Sequence, residues 1–537
     1  MGPHALEDAR DPHAAAAQFV RGLNLEEAEN VVLLGTGLGY RLRELSELGL
    51  KELLVYEPSN DVLQLAQEHV PELLDRARVF TDLDLFAKYL NNHTTAREKN
   101  TLLVPPSYKR AFPEQHKKLV DVMREAAGFA IMAQNSVSER SRLMIESTMK
   151  NVDLIGKLPP AMARKDVLEG RPAFIVSAGP SLDRNIELLA KAGQKGALLV
   201  VNTAAPAVKA AGVRCDAICG IESLDVREGI TGGVANADCL ILDISAHPAN
   251  FAAGMEHVPC MWFYPAQDGY RQFCGLVGTD ALPYGGSVAT AAFSIAYNWG
   301  ANPIIMLGQD LAYTGGRYYA RNTPHEGLIV RAEGDVVIVE GHPEWEEHFT
   351  RCGVKPVPRY RPRLSVDAWG GGTVDSTHDM VAFRRWFEEA ARQVTAAGRT
   401  LINATEGGAH IPGFEERTLA EVLAELPDAE VDLGSVARNT PALASHVVNN
   451  LKLEVRRGAQ EVLKSVKRVQ KAKTPQKRAK AQQDVRKAAR RSPFVDAHAA
   501  SGLIPILNDK DLSAEERQRR TFAEIRKSAE RLVQLSS

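Results

Sequence analysis

The residues of this chain best suited to chemistry sit at turns that interrupt apolar runs. Ser177-Ala178-Gly179-Pro180-Ser181-Leu182-Asp183 separates a strand-like run from a helix-like one. Amides at such a helix start, backed by the helix dipole, suit a phosphate, with Gly179 permitting close approach and Ser181 adding a hydroxyl donor. The alternative is that Ser181 or Asp183 only caps the helix. Far along the chain, Gly285-Gly286-Ser287-Val288-Ala289-Thr290 opens a second, apolar helix, and the strand after it ends in Gly308-Gln309-Asp310-Leu311-Ala312-Tyr313. Asn202, Glu222 and Asp310 all fall at predicted strand ends, where open parallel sheets bind ligands. Nearer the start, Gly35-x-Gly37-x-Gly39 follows a strand and Glu57 tips the next one. That spacing fits a dinucleotide or S-adenosylmethionine site, the carboxylate accepting from ribose hydroxyls. The same turn also serves close strand–helix packing without a ligand.

The elements that must position these residues follow from the apolar periodicity. Val31–Leu34, a helix from Arg41 to Leu48 and a strand Glu52–Tyr56 make one strand–turn–helix–strand unit. A second series begins with strand Ala173–Val176, helix Asp183–Ala192 and strand Ala197–Val201, and continues through apolar runs at Asp216–Ile221, Cys239–Ile244 and Pro303–Gly308. Strands alternating with helices predict a parallel sheet covered on both faces, hence an α/β fold. Between the series, Ala111 to Ile155 reads as one long helix or a helix pair, with Leu119, Val122, Met123 and Ala126 on one stripe. Beyond about residue 440 the chain turns helical and basic, with a break at Thr474-Pro475. A last helix, Ala514 to Leu535, starts at Ser513, with Glu516 placed to close a capping box. The expected division is a Rossmann-like domain over 1–110, a helical linker over 111–165, a central α/β domain over 166–430 and a basic helical domain over 431–537.

Taken together, Ser177–Asp183, Asn202-Thr203-Ala204, Gly285–Ala289, Gly308–Tyr313 and Asn403-Ala404-Thr405-Glu406-Gly407-Gly408-Ala409 resemble the motility-associated factor (Maf) glycosyltransferases in order and spacing. Gly35–Glu57 is similar to the N-terminal Rossmann-like domain of that family. The resemblance implies a central Rossmann-like domain of the bacterial sialyltransferase type. It implies transfer of a nonulosonic acid, such as pseudaminic or legionaminic acid, from a cytidine-monophosphate (CMP) donor to Ser/Thr hydroxyls of flagellin. Residue by residue, it places Gly179, Pro180, Ser181, Asn202, Gly286, Ser287, Thr290, Gln309 and Asp310 on the nucleotide and sugar, and Thr203, Glu222 and Tyr313 are expected to join them at the donor site. The sequence departs from the family where a histidine is expected after the tyrosine and reads Gly316-Arg317-Tyr318-Tyr319-Ala320. The base is therefore left open.

Cleaving a ketosidic bond to a phosphate develops charge on the departing CMP, so the site must stabilise an anion and deprotonate a hydroxyl. Tyr313, Tyr318, Tyr319 and Arg317 could serve the phosphate and remove the need for a metal. Asp310, His325, His342 and His378 are possible bases, and Asp310, His325 and Tyr319 form the expected catalytic set. Asp82-Leu83-Asp84 reads as a helix-start cap rather than a metal motif. His247, His257, Cys239 and Cys260 are too loosely spaced for a metal site and read as packing.

Composition narrows the field further. Of 537 residues, 65 Lys and Arg stand against 67 Asp and Glu, a net charge of -2, which argues against a general polyanion binder. The basic tail lacks interleaved aromatics, so a solvated face or a docking surface for a protein acceptor is expected over nucleic acid. The six cysteines lack paired spacing and read as reduced thiols. No secretory signal or myristoylation site opens the chain, and the most apolar window, 288–307, is interrupted by Asn298, Gly300 and Asn302-Pro303. A cytoplasmic enzyme without a required cofactor is expected, its partners a nucleotide-sugar donor and flagellin or another secreted acceptor. The alternatives are a 6-hydroxymethylpterin diphosphokinase-like enzyme, a methyltransferase built on Gly35–Glu57, and a non-catalytic flagellin assembly factor.

Overall fold

The computed structural model describes residues 5–8, 10–23, 25, 30–93, 100–266, 268–270, 273, 275–341, 347, 360–509 and 511–537. His342, Cys274 and Cys352 lie outside them. The chain forms two compact units, Met1–Ser136 and Val137–Ser537, and the helix Pro113–Asn151 carries it from one to the other as a single element.

The first unit holds four parallel strands, β1 (Asn30–Leu34), β2 (Glu52–Tyr56), β3 (Arg78–Phe80) and β4 (Asn100–Leu103), in the order β3-β2-β1-β4. β1 is buried along its whole length because helices cover both faces, which is why its sequence is a continuous apolar run. Asp82 caps the helix Leu83–His93 by accepting from the amides of Asp84 and Leu85.

The second unit is built on an eight-stranded sheet. In chain order its strands are β5 (Ala173–Val176), β6 (Ala197–Val201), β7 (Cys215–Gly220), β8 (Ala237–Asp243), β9 (Cys260–Phe263) and β10 (Ile304–Leu307). An excursion follows, through β11 (Ile329–Glu333), β12 (Val336–Glu340), β13 (Tyr360–Pro362), β14 (Leu364–Asp367) and β15 (Thr373–Ser376), before β16 (Leu401–Asn403) and β17 (Glu415–Glu416) rejoin the sheet. The order is β17-β16-β10-β5-β6-β7-β8-β9, all parallel. The chain winds outward from β5 to β9, then returns to the other side of β5 with β10. The point of reversal therefore lies between β5 and β10.

The helix Val288–Asn298 precedes β10 and lies against β5, β6 and β7 on one side and the helix His378–Ala396 on the other. Enclosed on both sides, it is apolar and alanine-rich, and its Phe293 meets Trp386 and Phe387 edge-on. Where the sequence predicts one helix over Asp183–Ala192, the chain forms Leu182–Asn185, a 3-10 turn Ile186–Leu188 and Leu189–Gly193. The C-terminal part is helical, as expected. Ser445–Lys471 buries Val448, Leu451, Val455, Ala459, Val462 and Val466 as one stripe, and Thr474 caps Pro475–Arg490. Ser513 caps Ala514–Leu535, but the Glu516 carboxylate turns to Arg519 and Arg520 instead of closing a capping box.

Candidate functional site

The turn after β5 and the turn after β10 meet at the reversal point, where a parallel sheet leaves a crevice beyond its carboxyl ends. Gly179 donates its amide to the Gly308 carbonyl at 2.9 Å. Asp310 Oδ2 accepts from Ser181 Oγ at 2.5 Å, and both its oxygens take the Ser181 amide at 3.3 Å. Glycine is required by close approach: a Cβ on Gly179 would lie 2.1 Å from Asp310 Oδ2 and 2.6 Å from the Gly308 carbonyl oxygen. Gln309 accepts from Ser177 Oγ at 2.6 Å and its amide donates to Thr405 Oγ1. Pro180 is fixed through its carbonyl by Arg317, which also pairs with Asp183 at 2.7 Å. Gly179, Pro180, Ser181, Gln309 and Asp310 are thus one bonded assembly.

That assembly alters two expectations. Asp310 is only 3% exposed, and burial raises its carboxyl pKa against the hydrogen bonds from Ser181 and Thr314. A carboxylate spent on its own turn positions that turn and is not open to an acceptor hydroxyl. Arg317 is likewise spent as a clasp between Asp183 and Pro180, which leaves the phosphate to other groups.

Asn202 follows β6, its amide bonded to the Cys219 carbonyl. The residue is 3% exposed and its Oδ1 has no partner among the described residues, an orphaned acceptor at a strand end. Thr203 lies half-buried beside it. At the turn before the helix that leads into β10, Ser287 and Thr290 form a reciprocal capping box that starts the helix Val288–Asn298. Thr290 is fully buried and its hydroxyl also accepts the Gly285 amide, so it shapes the turn, whereas Gly286 is exposed at φ +87° and Ser287 is half-buried. The turn is held from below by a residue that strand-end reasoning passed over: Tyr284 donates to Asp243 Oδ2 at 2.7 Å, and Asp243 Oδ1 takes the Ser245 amide. Asp243 ends β8 and is completely buried, which pushes its pKa up to about 6.

Tyrosines make a third wall. The rings of Tyr313, Tyr318, Tyr319 and His325 follow one another at centroid separations of 5.4, 4.8 and 5.6 Å. Arg361, on β13, reaches the hydroxyls of Tyr313 and Tyr318 at 3.0 and 3.1 Å and pairs with Asp379 at 2.5 Å. Burial opposes its charge, but Tyr318, Asp379 and Tyr313 hold its pKa above the ordinary value. No periodic signal marks Arg361 in the sequence; only the fold of the excursion brings it here. Burial raises the pKa of Tyr319, with the nearby Glu222 carboxylate adding to it, and Glu222 also acts on Tyr284. Glu222 itself lies two residues beyond β7, its backbone carbonyl accepting from the His247 amide and its carboxylate paired with Arg140 at 3.8 Å. His378 is exposed at the start of its helix.

The glycine turn of the first unit sits at the corresponding reversal, between β1 and β4, and is filled from within. A Cβ on Gly35 would fall 2.0 Å from the Tyr108 ring. The Tyr108 hydroxyl accepts from the Gly37 amide at 2.9 Å and donates to Glu57 at 2.8 Å. Glu57 also accepts from the Thr36 amide and hydroxyl and from the Ser59 amide, and Glu7 takes the Leu38 amide. Gly39, at φ +81°, packs on Val70 and Leu73. The carboxylate that would meet a ribose is engaged in holding the turn. His247, expected to serve packing and not a metal, caps the helix Pro248–Met255 by accepting the Ala249 amide at Nδ1.

A family model described as 6-hydroxymethylpterin diphosphokinase MptE-like matches residues 146–316, the stretch from before β5 to just past β10. No curated protein matches the chain. Among solved structures it is similar to the MAf glycosyltransferase from Magnetospirillum magneticum AMB-1, with a TM-score of 0.53 and 15% identity, covering 100% of this chain and 85% of that one. At that identity the likeness concerns the fold. No helix of the described residues is long and apolar enough to cross a membrane. The resemblance read from the sequence is met in the architecture: the chain has the fold of a MAf glycosyltransferase, with the turns of its candidate crevice inside the MptE-like stretch.

Proposed function

We propose that the protein is a glycosyltransferase that moves a nonulosonic acid from a CMP-activated donor to Ser/Thr hydroxyls of flagellin in the cytoplasm. The observation that carries the reading is the buried Asn202 at the end of β6, whose Oδ1 has no partner among the described residues, next to the reversal point where the turns after β5 and β10 are bonded together through Gly179, Ser181 and Asp310. A buried acceptor without a partner costs about 1–3 kcal/mol, so a ligand donor such as a cytosine amino group or a sugar hydroxyl would recover that cost. Tyr319 is half-buried, and its hydroxyl makes no hydrogen bond among the described residues, which leaves it able to donate to the leaving phosphate. Tyr313 and Tyr318, anchored by Arg361, keep that wall in place. A pterin diphosphokinase shares the turn motif and carries the name of the matching family model, and ATP-dependent turnover would favour it.

The test is incubation of purified protein and flagellin with CMP-nonulosonic acids, read by intact mass. A sugar-sized increment that disappears in Asn202→Ala and falls in Tyr319→Phe is expected. Absence of donor consumption with every such sugar would overturn the proposal.

A further inference from the structure

We infer that Glu222 is the general base that takes the proton from the acceptor hydroxyl. This rests on the transferase reading. The transfer needs a group that accepts a proton as the acceptor oxygen bonds to the anomeric carbon; the bond to phosphate breaks with its electron pair going to CMP, and the proton ends on the base. The carboxylates around the crevice divide sharply. Asp310 is bonded to Ser181, Asp243 to Tyr284 and Ser245, and Asp379 to Arg361 and Thr377. Glu222 differs. Its backbone carbonyl is pinned by the His247 amide and Asn250 Nδ2, which fixes its Cα two residues beyond β7. Its carboxylate is 28% exposed, and Arg140 approaches no closer than 3.8 Å. No hydrogen bond to its oxygens occurs among the described residues. β7 is next to β6, which delivers Asn202, and the Glu222 charge adds to the raised pKa of both Tyr319 and Tyr284. An anchored backbone at the strand end next to that of Asn202, with a part-exposed carboxylate that is ion-paired to Arg140 but accepts no hydrogen bond among the described residues, is the arrangement a base requires. It also supplies what the missing histidine leaves vacant.

The experiment compares wild type, Glu222→Gln, Glu222→Ala and His325→Gln in steady-state transfer to flagellin, with CMP affinity measured in parallel. Loss of a general base lowers kcat by about 10²–10⁴-fold. Glu222→Gln should show that loss with donor KM and CMP affinity within about threefold of wild type, and added formate should restore part of the activity of Glu222→Ala by supplying a carboxylate. Wild-type transfer together with unchanged kcat in Glu222→Gln would overturn the assignment and leave the transferase reading standing. The large loss appearing in His325→Gln instead would overturn it in favour of the histidine. A wild type that consumes no donor would overturn both.

Discussion

Gly179→Ala tests whether the turn after β5 is held by close approach. The added methyl would sit 2.1 Å from Asp310 Oδ2 and 2.6 Å from the Gly308 carbonyl oxygen, against an ordinary separation of about 3.5 Å. Neither neighbour can yield cheaply: Asp310 is tied to the Ser181 amide and hydroxyl, and Gly308 is itself at φ +62° with Ser177 and Leu182 crowding it. Overpacking of this kind costs about 1–3 kcal/mol, and separating the Gly179 amide from its 2.9 Å acceptor adds about 1 kcal/mol. The expected destabilisation of the larger unit is about 2–4 kcal/mol by the same reasoning, read by urea unfolding. Gly179 has no positive φ, so the loss would come from space and not from backbone conformation. Gly275→Ala, where a Cβ meets nothing within 4 Å, is the control and should stay within about 0.5 kcal/mol of wild type. Because the turn must move, CMP affinity should also drop at least about tenfold, equivalent to about 1.4 kcal/mol. A Gly179→Ala protein as stable as the control and binding CMP like wild type would refute the reasoning.

Three further outcomes are expected. Ser287→Ala removes the cap of Val288–Asn298 and should cost about 1 kcal/mol, measured by urea unfolding. Arg361→Ala leaves Asp379 unpaired and two tyrosine hydroxyls without their donor; it should cost about 3 kcal/mol, and Arg361→Lys should recover little, since one ammonium does not reproduce the planar fork. Asp243, with its pKa raised to about 6 in the fold, favours the folded state fully below the unfolded value near 4 and loses that contribution as pH climbs to about 6. In Asp243→Asn, Oδ1 can still take the Ser245 amide while the amide nitrogen donates to Tyr284. The variant should therefore gain about 3 kcal/mol relative to wild type between pH 4 and pH 7, seen by calorimetry at the two pH values; an unchanged difference would show that Asp243 does not titrate in that window.

The sequence makes the parallel sheet and the turns at its carboxyl ends legible because strands buried on both faces read as unbroken apolar runs. Ala173–Val176 and Ala197–Val201 match β5 and β6 residue for residue, and glycine turns mark where the strands stop. Close-approach glycines carry the same information, since Gly179 has a partner that only a fold can supply. What stays hidden depends on neighbours far apart in sequence. Tyr108 reaches Gly35 and Glu57 across the first unit, converting a dinucleotide-like pattern into an internally filled turn. Arg361 arrives through an excursion of short antiparallel strands, and only their pairing brings it to Tyr313 and Tyr318. Asp243 is within reach, since it is the one acid in the run predicted over Cys239–Ile244 and ends the observed β8, but nothing local distinguishes a strand-end acid that will be buried from one that stays open.

That distinction organises the crevice. Each wall is locked by one hydrogen-bonded carboxylate: the buried Asp310 holds the Ser181 turn, the buried Asp243 holds the Gly285 turn through Tyr284, and the half-buried Asp379 holds the tyrosines through Arg361. Burying an ionisable group is costly unless its bonds are complete, so an acid recruited to lock a wall loses the open lone pairs that proton transfer demands. Placing the locks at the sheet edge brings three walls together with little freedom, which favours a reaction whose barrier is lowered by alignment and by fixed donors at the leaving group. A base in the same crevice has to be anchored by something other than its carboxylate. Glu222 meets that condition through its backbone carbonyl, and the double variant Asp310→Asn/Glu222→Gln separates the two roles: the first change should shift stability and CMP affinity, the second kcat alone, and losses that fail to divide in this way would show that the acids of this edge act as one network.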